Sequence, residues 1–160
     1  MTREKFNRMN KALIQWEDVL EGIQRLSAEY EDSGWSTLVL HPGDVSTTTS
    51  KSGDQKAGFR LVVPESELDE LAKMVEEEEG SYNEFEVRHA PADDLLMFVV
   101  VVKSTKRKEA IIFPTYYESE LDQEFVETAG EQETIYTDIT NLDQSRQFSF
   151  SHDKPALFLP

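Results

Sequence analysis

The chain contains no cysteine and only three histidines, His41, His89 and His152, none within four residues of another. Without thiols there is no disulfide framework, no thiolate nucleophile and no cysteine-based zinc or iron–sulfur site. Histidines so widely scattered give no local metal-ligand spacing and no triad signature. No metal, cofactor or catalytic residue is therefore assigned from the sequence. Long hydrophobic runs are also missing. The longest strongly apolar run, Leu95 to Val102, is far too short for a bilayer. The opening "MTREKFNRMNK" reads as a polar helix without the apolar core of a signal peptide, so the expectation is a cytoplasmic protein that does not enter membranes. Positive charge is scarce as well: 16 lysines and arginines face 32 acids, for a net charge of −16. That balance disfavours nucleic acid and anionic membrane surfaces as partners.

What is present suits one folded domain over residues 1–160. A chain of 160 residues buries one good core but hardly two, and 10% aromatics with several dense apolar runs argue against disorder. The acids are spread along every segment, as on a surface adapted to high salt. The run Glu76 to Glu79 falls at the end of a predicted helix, where the macrodipole disfavours negative charge. At ~1 M salt the screening length falls to about 3 Å and that penalty largely disappears.

From Met9 the apolar positions Leu13, Trp16, Leu20 and Ile23 alternate steps of four and three, widened by Ala12, Val19 and Leu26 and ended by Gly34. This predicts an amphipathic helix over residues 4–32. Its heptad-like spacing would suit a homodimeric coiled coil, but the wide stripe fits packing on a sheet better. Strands are predicted at Trp35–His41 and Gly58–Val63, a helix over "ESELDELAKMVEEEEG" after Pro64, and a strand at Asn83–His89. The same order then recurs: strands at "LLMFVVVV" and "AIIFPTYY", a helix over "ESELDQEFVETAG", and a strand at "ETIYTDI". The pentapeptide Glu65–Asp69 reappears as Glu118–Asp122, each copy just after a strand.

The expected fold class is therefore α+β: an N-terminal helix, then two ββαβ units at 35–89 and 95–139 forming a largely antiparallel sheet with helices on one face. The tail 140–160 adds a short strand near Gln147–Ser151 and an apolar end that docks onto the body.

Two segments attract a functional reading. The stretch "HPGDVSTTTSKSGDQ", His41 to Gln55, reads as a long loop, and loops of this length in compact domains tend to be functional or disordered. Named motifs fail in it. Gly53 and Gly58 have P-loop spacing, but Phe59 and Arg60 stand where lysine and a hydroxyl must reach phosphate and magnesium. An EF-hand begun at Asp44 has Thr49 at the required glycine and Gln55 at the bidentate glutamate. Thr48 and Lys51 have the spacing of a Ser-x-x-Lys pair without its companion motifs. His41 and Asp44 bracket Pro-Gly, which reads first as a turn. The second segment is "KSTKRK", where Lys103, Lys106, Arg107 and Lys108 put four of the sixteen positive charges at one hairpin turn. Lysines guard exposed strand ends, and the same cluster suits an anion or an acidic partner.

The sets "GWSTLVLHPGD", "VVP", "IYT", "LD" and "FSHDKPALFLP" resemble an uncharacterised family of small acidic cytosolic proteins of halophilic archaea. The resemblance implies a salt-adapted, cytosolic protein and supplies no activity and no catalytic residue. The leading expectation is a non-enzymatic binding or regulatory domain for a small anionic ligand or a protein partner. Its candidate ligand-binding residues are His41, Asp44, Thr48, Lys51, Lys106 and Arg107. Two alternatives stay open: a small enzyme acting on a phosphorylated or carboxylated metabolite, and a structural subunit of a larger assembly.

Overall fold

The computed structural model describes the backbone of residues 3–50, 56–77, 82–90 and 95–160, and the side chains of 15–49, 57–75, 82–90 and 95–160. The first element is α1, Arg3–Asp32. Its stripe of Val19, Ile23 and Leu26 is buried against Met97, Val101, Ala110 and Ile112 of a sheet, as the width of the stripe suggests. Burying a side chain such as Ile23 removes about 2 kcal/mol worth of apolar surface from water. Gly34, at φ 89°, ends the helix because L side chains resist that left-handed conformation. The Gly34 N–H donates to the Glu31 carbonyl and the Trp35 N–H to the Tyr30 carbonyl. This is the two-bond C-terminal motif in which the residue after glycine also packs back on the last turn. The Tyr30 and Trp35 rings supply that contact, edge to face at 5.3 Å.

The strands are β1 (Ser36–Val39), β2 (Asp44–Ser50), β3 (Lys56–Val62), β4 (Glu84–Ala90), β5 (Leu96–Ser104), β6 (Glu109–Tyr117), β7 (Ile135–Thr140) and β8 (Gln147–His152), with helices α2 (Glu65–Glu77) and α3 (Gln123–Gly130) and a final 3₁₀ turn, Pro155–Phe158. They form two four-stranded sheets, β1-β6-β5-β4 and β2-β3-β7-β8. Each is mixed, with one parallel pair: β1 with β6 and β3 with β7.

This corrects the expected single, largely antiparallel sheet of two ββαβ units. The predicted first strand pair is split, β1 entering one sheet and β3 the other. The partner that β3 takes is β2, drawn from the stretch expected to be a loop, with Asp44–Ser50 antiparallel to Lys56–Val62. The reason lies in Val45, Thr47, Thr48 and Thr49, whose β-branched side chains suit a pleated strand even where hydroxyls replace alkyl groups. The span 51–55 lies outside the described residues. The two pentapeptide copies also differ. Glu65–Asp69 begins α2 and buries Leu68 completely, whereas Glu118–Asp122 is a turn ahead of α3 and leaves Leu121 76% exposed.

Alternation along β5 assigns the layers. Met97 and Val101 meet α1, while Phe98, Val100 and Val102 face the interior shared with the second sheet. Leu68 and Leu71 of α2 and Phe125 and Ala129 of α3 join that interior, and because α1 packs on β1 and β6 while α3 packs on β2 and β3, the helices are divided between two sheets rather than laid on one face of a single sheet. At its centre Phe59 lies 5.1 Å from Phe125, 5.6 Å from Phe158 and 6.0 Å from Tyr117. The tail docks as expected: Phe158 is fully buried and the Tyr117 hydroxyl donates to its carbonyl oxygen.

Candidate functional site

The residues picked out from the sequence fall into three places. His41 follows β1 at one end of that strand. Asp44 and Thr48 point from β2 to the face of the second sheet opposite Val45, Thr47 and Thr49, where the neighbouring positions on β3 are Val62 and Gly58. Lys106 and Arg107 lie in the turn Thr105–Lys108, beside Ser36 at the other end of β1. Lys51 lies outside the described residues. His41 and the basic turn are separated by roughly 17 Å, the length of five strand residues, so they do not form one site.

At the His41 end, the parallel ladder alternates. Ser36 and Leu40 donate their N–H groups to Lys108, just ahead of β6, and to Ile112 within it, which turns the backbone groups of Thr37, Val39 and His41 toward the free edge of β1. The His41 N–H donates to Glu67 Oε1 at 2.6 Å, and its ring Nδ1 lies 3.0 Å from Glu67 Oε2. Glu67 stands in the first turn of α2. Arg146 holds the same turn from the other side, donating to Asp69 at 2.7 Å and Glu65 at 3.2 Å, while the Asn141 amide donates to Glu65 at 2.7 Å. The start of α2 is thus fixed to β1 and to the β7–β8 turn, and the helix runs along the open edge of β1.

The basic turn at the other end is largely met by carboxylates. Lys103 Nζ donates to Glu86 at 3.1 Å and the Tyr30 hydroxyl donates to the same carboxylate at 3.1 Å. Burial acts to raise the Glu86 pKa, but the Lys103 hydrogen bond and charge, with Tyr30, outweigh it and hold the carboxyl below its ordinary value. Burial likewise opposes the Lys103 charge, and the Glu86 contact more than offsets it, leaving the ammonium pKa raised. Thr105 donates to Glu84 at 2.8 Å, and Arg107 donates from Nε to Glu109 at 3.0 Å and from its backbone N–H to Ser104 at 3.2 Å. Glu109 also accepts from the Tyr82 hydroxyl, so its carboxylate is held from two sides.

Between these features, α2, the edge of β1 and the basic turn border an open cleft of about 270 Å³. The strand lines it with Ser36, Thr37 and Leu38, the helix with Glu70, Lys73 and Met74, and the turn with Arg107 and Glu109. Thr37 is positioned from α1, its hydroxyl 2.6 Å from that of Ser27 and 3.1 Å from Glu31. Each charged wall contributes one cation and one acid. Lys73 and Glu70 form a loose pair at 3.3 Å with both side chains mainly exposed, and such a pair is weak enough to be redirected to a ligand. Arg107 and Glu109 are more enclosed, at 19% and 16% exposure.

Of this cleft, sequence reasoning found only Arg107. The signal in Glu70 and Lys73 was an ordinary helical charge pair, and nothing local tells that it faces Arg107. The other two histidines lie elsewhere, His152 in the core and His89 exposed on β4. His152 is fully buried beside Phe85 and Phe158, with Nε2 2.8 Å from the Thr137 hydroxyl, and burial pushes its pKa down to about 4. The His89 Nε2 lies 3.1 Å from the Leu157 carbonyl oxygen. Among the described residues no group of three or more histidines or acids is placed to hold a metal ion, and no helix is long and apolar enough to cross a membrane.

The architecture is thus an α+β protein of two packed mixed sheets flanked by helices, with a mixed-charge cleft at one sheet edge. The chain belongs to a family of unknown function, DUF7529, whose model matches residues 3–160. No curated protein and no solved structure matches it.

Proposed function

We propose that the protein is a non-enzymatic binding module that takes a small ligand carrying an anionic group in the cleft between β1 and α2. The observation that carries this reading is the presence of both Lys73 and Arg107 in the lining of one cleft of about 270 Å³ in a chain whose net charge is −16. Two cations from separate elements facing one hollow give an anion a local attraction that the surrounding surface does not. The Ser36 hydroxyl in the same lining supplies a donor to complete its hydrogen bonds. The basic turn then serves through Arg107, while His41, Asp44 and Thr48 lie apart from the ligand.

The test is isothermal titration calorimetry with a panel of small carboxylates and inorganic phosphate, on the wild type and on a Lys73→Ala, Arg107→Ala double variant. Saturable binding in the wild type, weakened at least about tenfold in the double variant, is the expected result. Binding that the double variant leaves unchanged, or no binding to any anion, contradicts the reading.

One contact favours a second reading. A histidine ring oriented by a carboxylate, as His41 is by Glu67, is the arrangement a general base uses, and it would suit a small enzyme acting on an anionic metabolite. A substrate whose turnover vanishes in His41→Gln and persists in Arg107→Ala would support that reading over the binding module.

A further inference from the structure

The lining of the cleft specifies more than an anion. Two cations are matched by two acids, and the acids are not remote counter-ions but part of the same walls. A polyanion would bring its charges against Glu70 and Glu109 and meet repulsion there. A ligand with one negative and one positive group meets an opposite charge at each end. Between the charged groups the strand presents Leu38 and the helix Met74, two partly buried side chains continuous with the core, so the cleft also has an apolar wall. Its volume, about 270 Å³, is below the roughly 300 Å³ at which pockets for drug-sized molecules begin.

From these three features we infer that the ligand is a free α-amino acid with an apolar side chain. Its carboxylate meets Lys73 and Arg107, its ammonium meets Glu70 and Glu109, and its side chain lies on Leu38 and Met74. Glu109 is the best-organised of these groups, since Arg107 Nε and the Tyr82 hydroxyl already fix its carboxylate and less freedom is lost when a ligand binds. The backbone of Thr37, turned to the free edge of β1, offers the ligand a peptide-like partner of the kind an edge strand gives an added strand. This inference rests on the binding-module reading and narrows it.

The probe is L-leucine, compared by calorimetry with its two half-molecules, 4-methylpentanoate and isopentylamine, and with inorganic phosphate. Leucine is expected to bind at least about tenfold more tightly than either half-molecule. Lys73→Met should weaken leucine and 4-methylpentanoate but spare isopentylamine, and Glu70→Gln should weaken leucine and isopentylamine but spare 4-methylpentanoate. Both substitutions are on exposed side chains, so the fold is retained, and unchanged far-ultraviolet circular dichroism verifies that. If phosphate or 4-methylpentanoate binds as tightly as leucine, the amino-acid assignment is overturned while the anion-binding module stands. If none of the four binds, both are overturned.

Discussion

Glu67 holds His41 twice, accepting its backbone N–H at 2.6 Å and lying 3.0 Å from its ring Nδ1. The first contact replaces the strand partner that the free edge of β1 lacks, and it ties the start of α2 to that edge. Glu67→Ala is expected to destabilise the fold by about 1 kcal/mol, the usual net worth of such a bond at a partly exposed site. Glu67→Gln, whose amide oxygen still accepts the N–H, should recover most of the loss. Urea unfolding of the three proteins measures this, and equal midpoints would show that α2 is held without Glu67.

His152 makes stability depend on pH. Its folded pKa of about 4 lies below the ordinary 6.5, so between those values the unfolded chain binds a proton that the native state refuses. Stability therefore rises with pH across that window, and is lost as pH falls from about 6.5 toward 4. Between pH 7 and pH 5 this one group should remove about 2 kcal/mol. Denaturant unfolding of the wild type and His152→Phe at both pH values should show a loss smaller by that amount in the variant. A loss of the same size in both proteins would assign the effect to other groups.

Phe158 lies fully buried among Phe59, Phe98 and His152. Phe158→Ala is expected to cost about 3 to 5 kcal/mol, because transfer energy and cavity add at a site with rigid aromatic neighbours. Thermal unfolding should show a Tm lower by about 6 to 20 °C. A shift of only a few degrees would mean that the tail packs loosely.

The surplus of sixteen negative charges repels itself in the folded state. Raising salt from about 0.1 M to about 1 M shortens the screening length from about 10 Å to about 3 Å, so the midpoint of thermal unfolding is expected to rise over that range. A chloride series read by circular dichroism tests this. A flat or falling Tm would contradict the salt adaptation that the charge balance suggests.

Much of the fold was legible in local pattern, because its elements are amphipathic with clear periods. The stripe through Val19, Ile23 and Leu26 fixed α1 and its packing on a sheet, and Gly34 marked its end. Other features were hidden for identifiable reasons. Val45 to Thr49 forms a strand whose hydroxyls gave no apolar alternation to read. The choice of partners, β1 with β6 and β3 with β7, is made by contacts across about seventy residues of sequence that no local signal encodes. The repeated pentapeptide misled because the same five residues bury Leu68 and expose Leu121. The cleft was invisible for the same reason as the pairing: residues 36–38, 70–74 and 107–109 meet only once the sheets have formed.

Ligand is expected to meet the protein in the cleft between β1 and α2. Titration of the 15N-labelled protein with L-leucine, followed by two-dimensional amide NMR, tests it most directly. Saturable shifts are expected at Thr37, Leu38, Lys73 and Arg107, with His41, Asp44 and Thr48 still. Shifts centred on His41 and Asp44, or no shifts at saturating leucine or phosphate, would contradict it.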